Sequence, residues 1–117
     1  MKSVPIIYDG RIFCPVVNSE TGEVSSATLF YYHQEGDIFW AEYSGGEILR
    51  GFMVGLVRPD GQLEFNYQHL NSNKAIRLGK CLSVPEILAD GRIRLHESWQ
   101  WLDGEQKTGS SIVDEQK

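Results

Sequence analysis

Apolar and polar residues alternate with a period of two along much of the chain. Between Arg92 and Leu102, Ile93, Leu95, Trp99 and Trp101 fall on one side, while Arg92, Arg94, His96, Ser98 and Gln100 fall on the other. Leu63, Phe65 and Tyr67 alternate with Glu64, Asn66 and Gln68 in the same way. Such a period predicts strands with one dry face and one wet face. The predicted strands are Arg11–Asn18, Ser26–His33, Ile38–Tyr43, Glu47–Val57, Leu63–Leu70, Ala75–Val84, Arg92–Leu102 and Ser110–Asp114. Between them lie Asp9-Gly10, Thr21-Gly22, Glu35-Gly36-Asp37, Ser44-Gly45-Gly46, Pro59-Asp60-Gly61, Asp90-Gly91 and Asp103-Gly104, residues that turn the chain sharply at hairpin spacing. Pro59–Phe65 and Ala89–Leu95 share an Asp-Gly turn followed by alternation, which predicts two similar hairpins rather than a repeat.

Two segments break the rhythm. Glu47–Val57 is apolar on both sides, with Ile48, Arg50, Phe52, Val54 and Leu56 on one and Leu49, Met53 and Val57 on the other; Gly51 and Gly55 there suit a close approach of another group. Pro85 has no amide proton, so it is expected to end its strand or to lie on an edge or bulge, with Pro85–Leu88 long enough for a single helical turn. The polar tail Asp114–Lys117 is expected to fray. About eight antiparallel strands in sequential hairpins favour an all-β, single-domain meander over residues 1–117. It would close into a barrel of lipocalin or avidin-like architecture, since closure removes exposed edges. A two-sheet sandwich is the alternative, and either sheet face is eligible to line the interior.

At 117 residues and 41% apolar the chain forms one domain with a real core. Eleven Lys+Arg against sixteen Asp+Glu give a net charge of −5, which argues against nucleic acid or an anionic membrane as partner. Met1–Gly10 lacks the apolar stretch of a secretory signal, and the expected location is cytoplasmic. In a reducing compartment Cys14 and Cys81 are expected to be small buried hydrophobes and not a bridge.

Polar residues on apolar faces carry the functional expectation. Glu97 shares the side of Trp99 and Trp101, where a carboxylate is either protonated or held by a cation and hydrogen bonds. Arg50 is the candidate cation across a barrel interior, with Tyr67 as a hydroxyl partner; the opposing expectation is that both charges reach solvent at a rim. Asn66, Gln68, His96, Ser98 and Gln100, with Gly79, Cys81 and Ser83 nearby, form an uncharged set suited either to a polar ligand or to a plain wet face. Trp99 and Trp101 would stack a planar ligand or fill the core. The candidate ligand-binding residues are therefore Arg50, Tyr67, Gln68, Ser83, Glu97, Trp99 and Trp101. His33, His69 and His96 show no metal-motif spacing, and neither a metal nor a cofactor is expected. No phosphate-binding loop or serine elbow is present, and Glu86 with Glu97 would do acid–base chemistry only if the fold set them side by side.

Three stretches add a resemblance. They are Gly51-x-x-x-Gly55-x-Val57-x-x-Asp60-Gly61-x-Leu63-x-Phe65-x-Tyr67-Gln68, Gly79-x-Cys81-x-Ser83-x-Pro85-Glu86-Ile87-Leu88 and Arg94-Leu95-His96-Glu97-x-Trp99-Gln100-Trp101. From Tyr8 to Glu115 the chain resembles small bacterial proteins labelled N-acetylglutamate synthase-like. That resemblance implies acetyl transfer as the enzymatic alternative and assigns no catalytic residue. The residues themselves favour non-catalytic binding of a small polar or planar ligand, with a protein-interaction or homo-oligomerisation module as the second reading.

Overall fold

The computed structural model describes residues 6–18 and 22–116, so the expected Thr21-Gly22 turn lies partly outside the described residues, as does Lys117 at the end of the tail. Eight strands, β1 (Ile12–Asn18), β2 (Leu29–Glu35), β3 (Ile38–Gly45), β4 (Ile48–Val57), β5 (Leu63–Asn71), β6 (Ile76–Ile87), β7 (Ile93–Trp101) and β8 (Thr108–Glu115), pair antiparallel in chain order. β1 pairs with β8, which makes a closed barrel and not a sandwich. An eight-stranded barrel is just wide enough for inward side chains to fill it. Alternation along each strand therefore decides what is inside.

One end is solid. Phe13, Tyr32, Phe39, Leu63, Ile93, Leu95 and Val113 meet there with Tyr8, which enters from the segment before β1. Phe13 and Tyr32 have ring centroids 4.6 Å apart, and the Tyr8 hydroxyl donates to the Gly61 carbonyl at 2.6 Å, tying the plug to the β4–β5 turn. The two expected hairpins are near copies. Gly61 N–H donates to Arg58 O and Gly91 N–H to Leu88 O, both at 2.9 Å, with glycine φ of +87° and +88°. Both are three-residue hairpins, in which a glycine in the left-handed region follows the turn.

Strand limits differ from expectation for identifiable reasons. β2 starts at Leu29, not Ser26, because Thr28 N–H donates to Ser25 O in a turn. β6 runs through Pro85 to Ile87, and no helical turn forms. Leu88 N–H bonds across the β6–β7 turn to Arg92, so alternate residues place Pro85's missing donor on the β5 side, where pairing has already ended at Ser83. The tail does not fray at Asp114 and Glu115. Both belong to β8, where Arg94 grips Asp114 at 2.7 and 2.9 Å and Arg11 grips Glu115 at 2.8 and 2.9 Å.

The β1–β2 ladder is short, with Phe13↔Phe30 its last pair toward the mouth. Arg11 O bonds to Tyr32 and Ile12 O to Gln116, so Pro15 falls on the β2 side, where it has no proton to donate. Beyond Phe13, the described residues of β1 make ladder pairs with β8 alone.

Several rings lie across a glycine on the neighbouring strand. The register pairs Tyr43 with Gly51, Tyr67 with Gly79 and Trp99 with Gly109. A Cβ at any of the three glycines would overlap the ring opposite. Gly79→Ala and Gly109→Ala are thus expected to lower stability by about 1–3 kcal/mol, while outward Lys80→Ala stays within about 0.5 kcal/mol; urea unfolding measures all three.

Candidate functional site

The other end of the barrel is not filled. Tyr43 on β3, Tyr67 and His69 on β5, and Glu97, Trp99 and Trp101 on β7 face inward around a cavity of about 50 Å³, whose wall also includes Phe30, Met53, Cys81, Ser111 and, from the end of β1 and the segment after it, Asn18 and Glu23. The glycine opposite each of Tyr43, Tyr67 and Trp99 lets the ring tilt over its neighbour and sets the width left between them. Tyr67 and Trp99 each stand near edge-on to Trp101, with centroids 5.6 and 5.7 Å away. π faces thus look into the space from several sides.

The cavity's floor is polar. Ser83, Glu97 and Ser111 are direct neighbours across β6, β7 and β8, one row above the apolar Leu95–Val113 pair. Ser83 Oγ donates to one Glu97 carboxylate oxygen at 3.0 Å and Ser111 Oγ to the other at 2.9 Å. No basic side chain among the described residues forms an ion pair with Glu97. Burial pushes its carboxyl above the ordinary range, and the two serine bonds, which favour the charged form, offset this only in part. The same burial, with Glu97's charge adding to it, pushes the Cys81 thiol up, so that thiol is inert at neutral pH.

A charged network rims the mouth. The Glu23 carboxylate, from the segment between β1 and β2, accepts from His69 Nε2 at 2.9 Å, from Asn71 and from Arg77. His69 Nδ1 in turn faces the Tyr43 hydroxyl at 2.8 Å. A ring nitrogen facing a carboxylate carries the proton, so Nε2 donates and Nδ1 accepts from Tyr43. Burial lowers the His69 pKa and Glu23 only partly restores it, which keeps the ring neutral at pH 7. Burial raises Glu23, but the bonds from His69 and Asn71 and the Arg77 charge outweigh that and hold it below the usual range. Arg77 also grips Asp103 at 3.1 Å and lies 3.9 Å over the Trp101 ring, fixing that indole as a wall.

Of the residues singled out in the sequence, Tyr67, Glu97, Trp99 and Trp101 meet at this cavity, and Ser83 reaches it only through its bond to Glu97. Arg50 and Gln68 do not. A bulge between Ile48 and Arg50 shifts the parity of β4, so Gly51 and Met53 point inward while Arg50 points to solvent with Phe52 and Val54. The expected Glu97–Arg50 pair therefore does not exist, and Ser83 and Ser111 take its place. Gln68, Asn66, His96, Ser98 and Gln100 lie on the outer surface, whereas Gly79, Cys81 and Ser83 face inward, so the uncharged set was two faces and not one. Glu86 is outside against His96 at 2.8 Å, well apart in role from Glu97. His33 pairs outside with Glu42, and among the described residues no three side chains gather as metal ligands. Cys14 and Cys81 are free. Sequence reasoning missed Glu23, Tyr43, His69, Arg77 and Ser111; the shared parity of Leu63, Phe65, Tyr67 and His69 was the available signal for one of them.

Residues 6–116 match the family model described as Avidin-like protein. This match overturns the N-acetylglutamate synthase-like resemblance. The glycines and turns that carried the resemblance serve ring packing and hairpins here, and Arg50–Gly55 is strand with no helix start to hold a pyrophosphate. No curated protein and no solved structure matches the chain significantly.

A carboxyl whose folded pKa is raised favours the fold below the ordinary carboxyl range and loses that contribution as pH climbs through the folded value. Glu97→Gln cannot ionise. Its urea midpoint is expected to gain on that of the parent as pH is raised from the ordinary carboxyl range toward neutral and beyond, until the parent's Glu97 is ionised. A constant difference over that range would show that Glu97 titrates as a solvated carboxylate.

Proposed function

The chain belongs to the avidin-like family, and on that premise we propose that it binds a small ligand without chemical conversion, in the mouth of the barrel between Trp99, Trp101, Tyr67 and Glu97. The observation that carries this reading is the row Ser83–Glu97–Ser111, a hydrogen-bonded carboxyl at the floor of an aromatic-walled cavity. Nothing in the packing requires a carboxyl there: an apolar side chain would complete the core at lower cost. A few converging polar groups within apolar walls are what orients a small ligand. Glu86 lies outside the barrel against His96, so the carboxylate pair that acid–base chemistry by Glu97 and Glu86 would need does not form.

Size narrows the class. A cavity of about 50 Å³ is a third of the roughly 150 Å³ that admits benzene, so a ligand enters by a narrow end unless the rings move. A two-ring compound such as biotin, the kind of ligand avidin-like barrels take, requires displacement of Trp99 or Tyr67. A metabolite panel read by melting temperature and tryptophan fluorescence is expected to give at least one ligand that raises the first and shifts the second. Trp99→Leu should weaken that ligand by about three- to tenfold, the worth of an aromatic contact. Silence of both readouts across the panel would refute the reading.

A separate observation favours self-association. Trp40, Phe52, Val54 and Leu56 stand on the outer face of β3 and β4, between 40% and 60% exposed, with Ile38 beside them. The register sets Trp40 opposite Val54 and Ile38 opposite Leu56, so the patch is continuous. Contiguous apolar surface of this kind marks a contact site. Sedimentation is expected to show an oligomer that Val54→Asp disperses to monomer with the barrel intact; a wild-type monomer at all concentrations would rule the assembly out.

A further inference from the structure

The binding reading leaves open what the ligand carries at its narrow end. The groups at the cavity floor answer in terms of hydrogen-bond sense. Both serine hydroxyls commit their protons to Glu97, so Ser111, which lines the cavity, presents lone pairs to it, while Ser83 holds Glu97 from behind. Glu97 has further acceptor sites on its two oxygens and no ion-pair partner among the described residues. Asn18 Oδ1, also on the wall, is buried without a hydrogen-bond partner among the described residues, while its amide nitrogen donates to Val24 O at 2.8 Å. The floor is therefore rich in acceptors, and the donors on the lining, the Tyr67 hydroxyl and the Trp99 indole N–H, belong to the walls. At the rim, one guanidinium, Arg77, stands between two carboxylates, Glu23 and Asp103.

An anion entering this space meets a carboxyl and lone pairs. A neutral amide satisfies some acceptors and leaves the charge unmatched. A metal ion lacks a third ligand, since no such group gathers among the described residues. A small organic cation satisfies the floor with its N–H donors and the walls with its charge, because the faces of Trp99, Tyr67 and Phe30 attract positive charge by their quadrupoles. We propose that the cavity takes an ammonium group of about methylammonium size, free or as the head of a longer amine, ion-paired to Glu97 and enclosed by the Trp99, Tyr67 and Trp101 rings. The proposal rests on the binding reading above and specifies its ligand.

The test uses the intact chain at about pH 8 and constant ionic strength, following the Trp99 indole N–H by NMR during titration with methylammonium chloride. Potassium chloride, acetamide and sodium acetate serve as the matched cation, neutral and anionic probes. Methylammonium is expected to shift Trp99 with an affinity at least about tenfold above that of each other probe, as a charge-assisted hydrogen bond exceeds a neutral one. Glu97→Gln should reduce methylammonium affinity by about tenfold or more and leave acetamide unchanged. The amide replaces the carboxylate at nearly equal volume, and a preserved indole spectrum reports an intact barrel.

Three results overturn the proposal. If acetamide or acetate shifts Trp99 and methylammonium does not, the ammonium assignment fails while the binding site stands. If no probe of any charge perturbs Trp99 and the metabolite panel is also silent, both fail. If Glu97→Gln binds methylammonium as tightly as the parent, the ion pair with Glu97 is refuted.

Discussion

Closing eight strands into a barrel fixes the interior width before any side chain is chosen, and the rest of this molecule depends on how large rings fit within that width. Tyr43, Tyr67 and Trp99 fit because each faces a neighbour with no Cβ. Had Gly79 or Gly109 carried a side chain, the ring opposite would have to stand up into the cavity and occlude it. The cavity is thus made by pairs of residues on different strands, one supplying a wall and the other the clearance for it. At the solid end the same width is taken up by Phe13, Tyr32, Phe39 and their aliphatic neighbours, with no polar row among them.

The two ends also divide the electrostatics. The floor row Ser83–Glu97–Ser111 sits at the boundary between the apolar plug and the aromatic mouth, where burial raises the Glu97 carboxyl above its ordinary range. Above it, Glu23, His69, Asn71, Arg77 and Asp103 satisfy one another, so the rim is held by charge-assisted bonds in place of packed hydrocarbon. Arg77 joins the two systems. Its guanidinium pairs with carboxylates at the rim and its face covers Trp101, so polar order at the mouth fixes aromatic order within.

Much of the fold was legible in the sequence because alternation and Asp-Gly turns are local signals. They located all eight strands, and parity along Ile93–Trp101 correctly placed Glu97 beside the indoles. Arg50 was misplaced because a bulge is an insertion relative to the partner strand, and parity counted along one strand cannot register it. For Pro85 the edge alternative holds and the strand end does not, a choice the sequence left open for a related reason: whether a missing donor interrupts a ladder depends on where β5 ends, which is a property of the pairing. Gly79 and Cys81 were grouped with Asn66 and Gln68 because sequence does not state which parity of one strand meets which parity of the next. Glu23 and Arg77 stayed invisible, since they join segments far apart in the chain. The acetyltransferase-like resemblance was drawn on glycine and turn positions, which report backbone geometry and carry no chemistry.

The wall is not uniform around its circumference. From Phe13 toward the mouth, β1 and β2 no longer exchange backbone bonds, and Pro15 prevents the ladder from being extended by a simple shift of register. The gap is bridged by side-chain contacts from β1 to the segment before β2, the Asn18 amide on Val24 O at 2.8 Å and the Cys14 thiol on Ser26 O at 3.1 Å. A hoop with one open joint parts at that joint first. The free energy of parting it is far below that of unfolding the whole, because few bonds and little apolar surface are lost. Parting there would widen the mouth for a guest bulkier than the resting space admits.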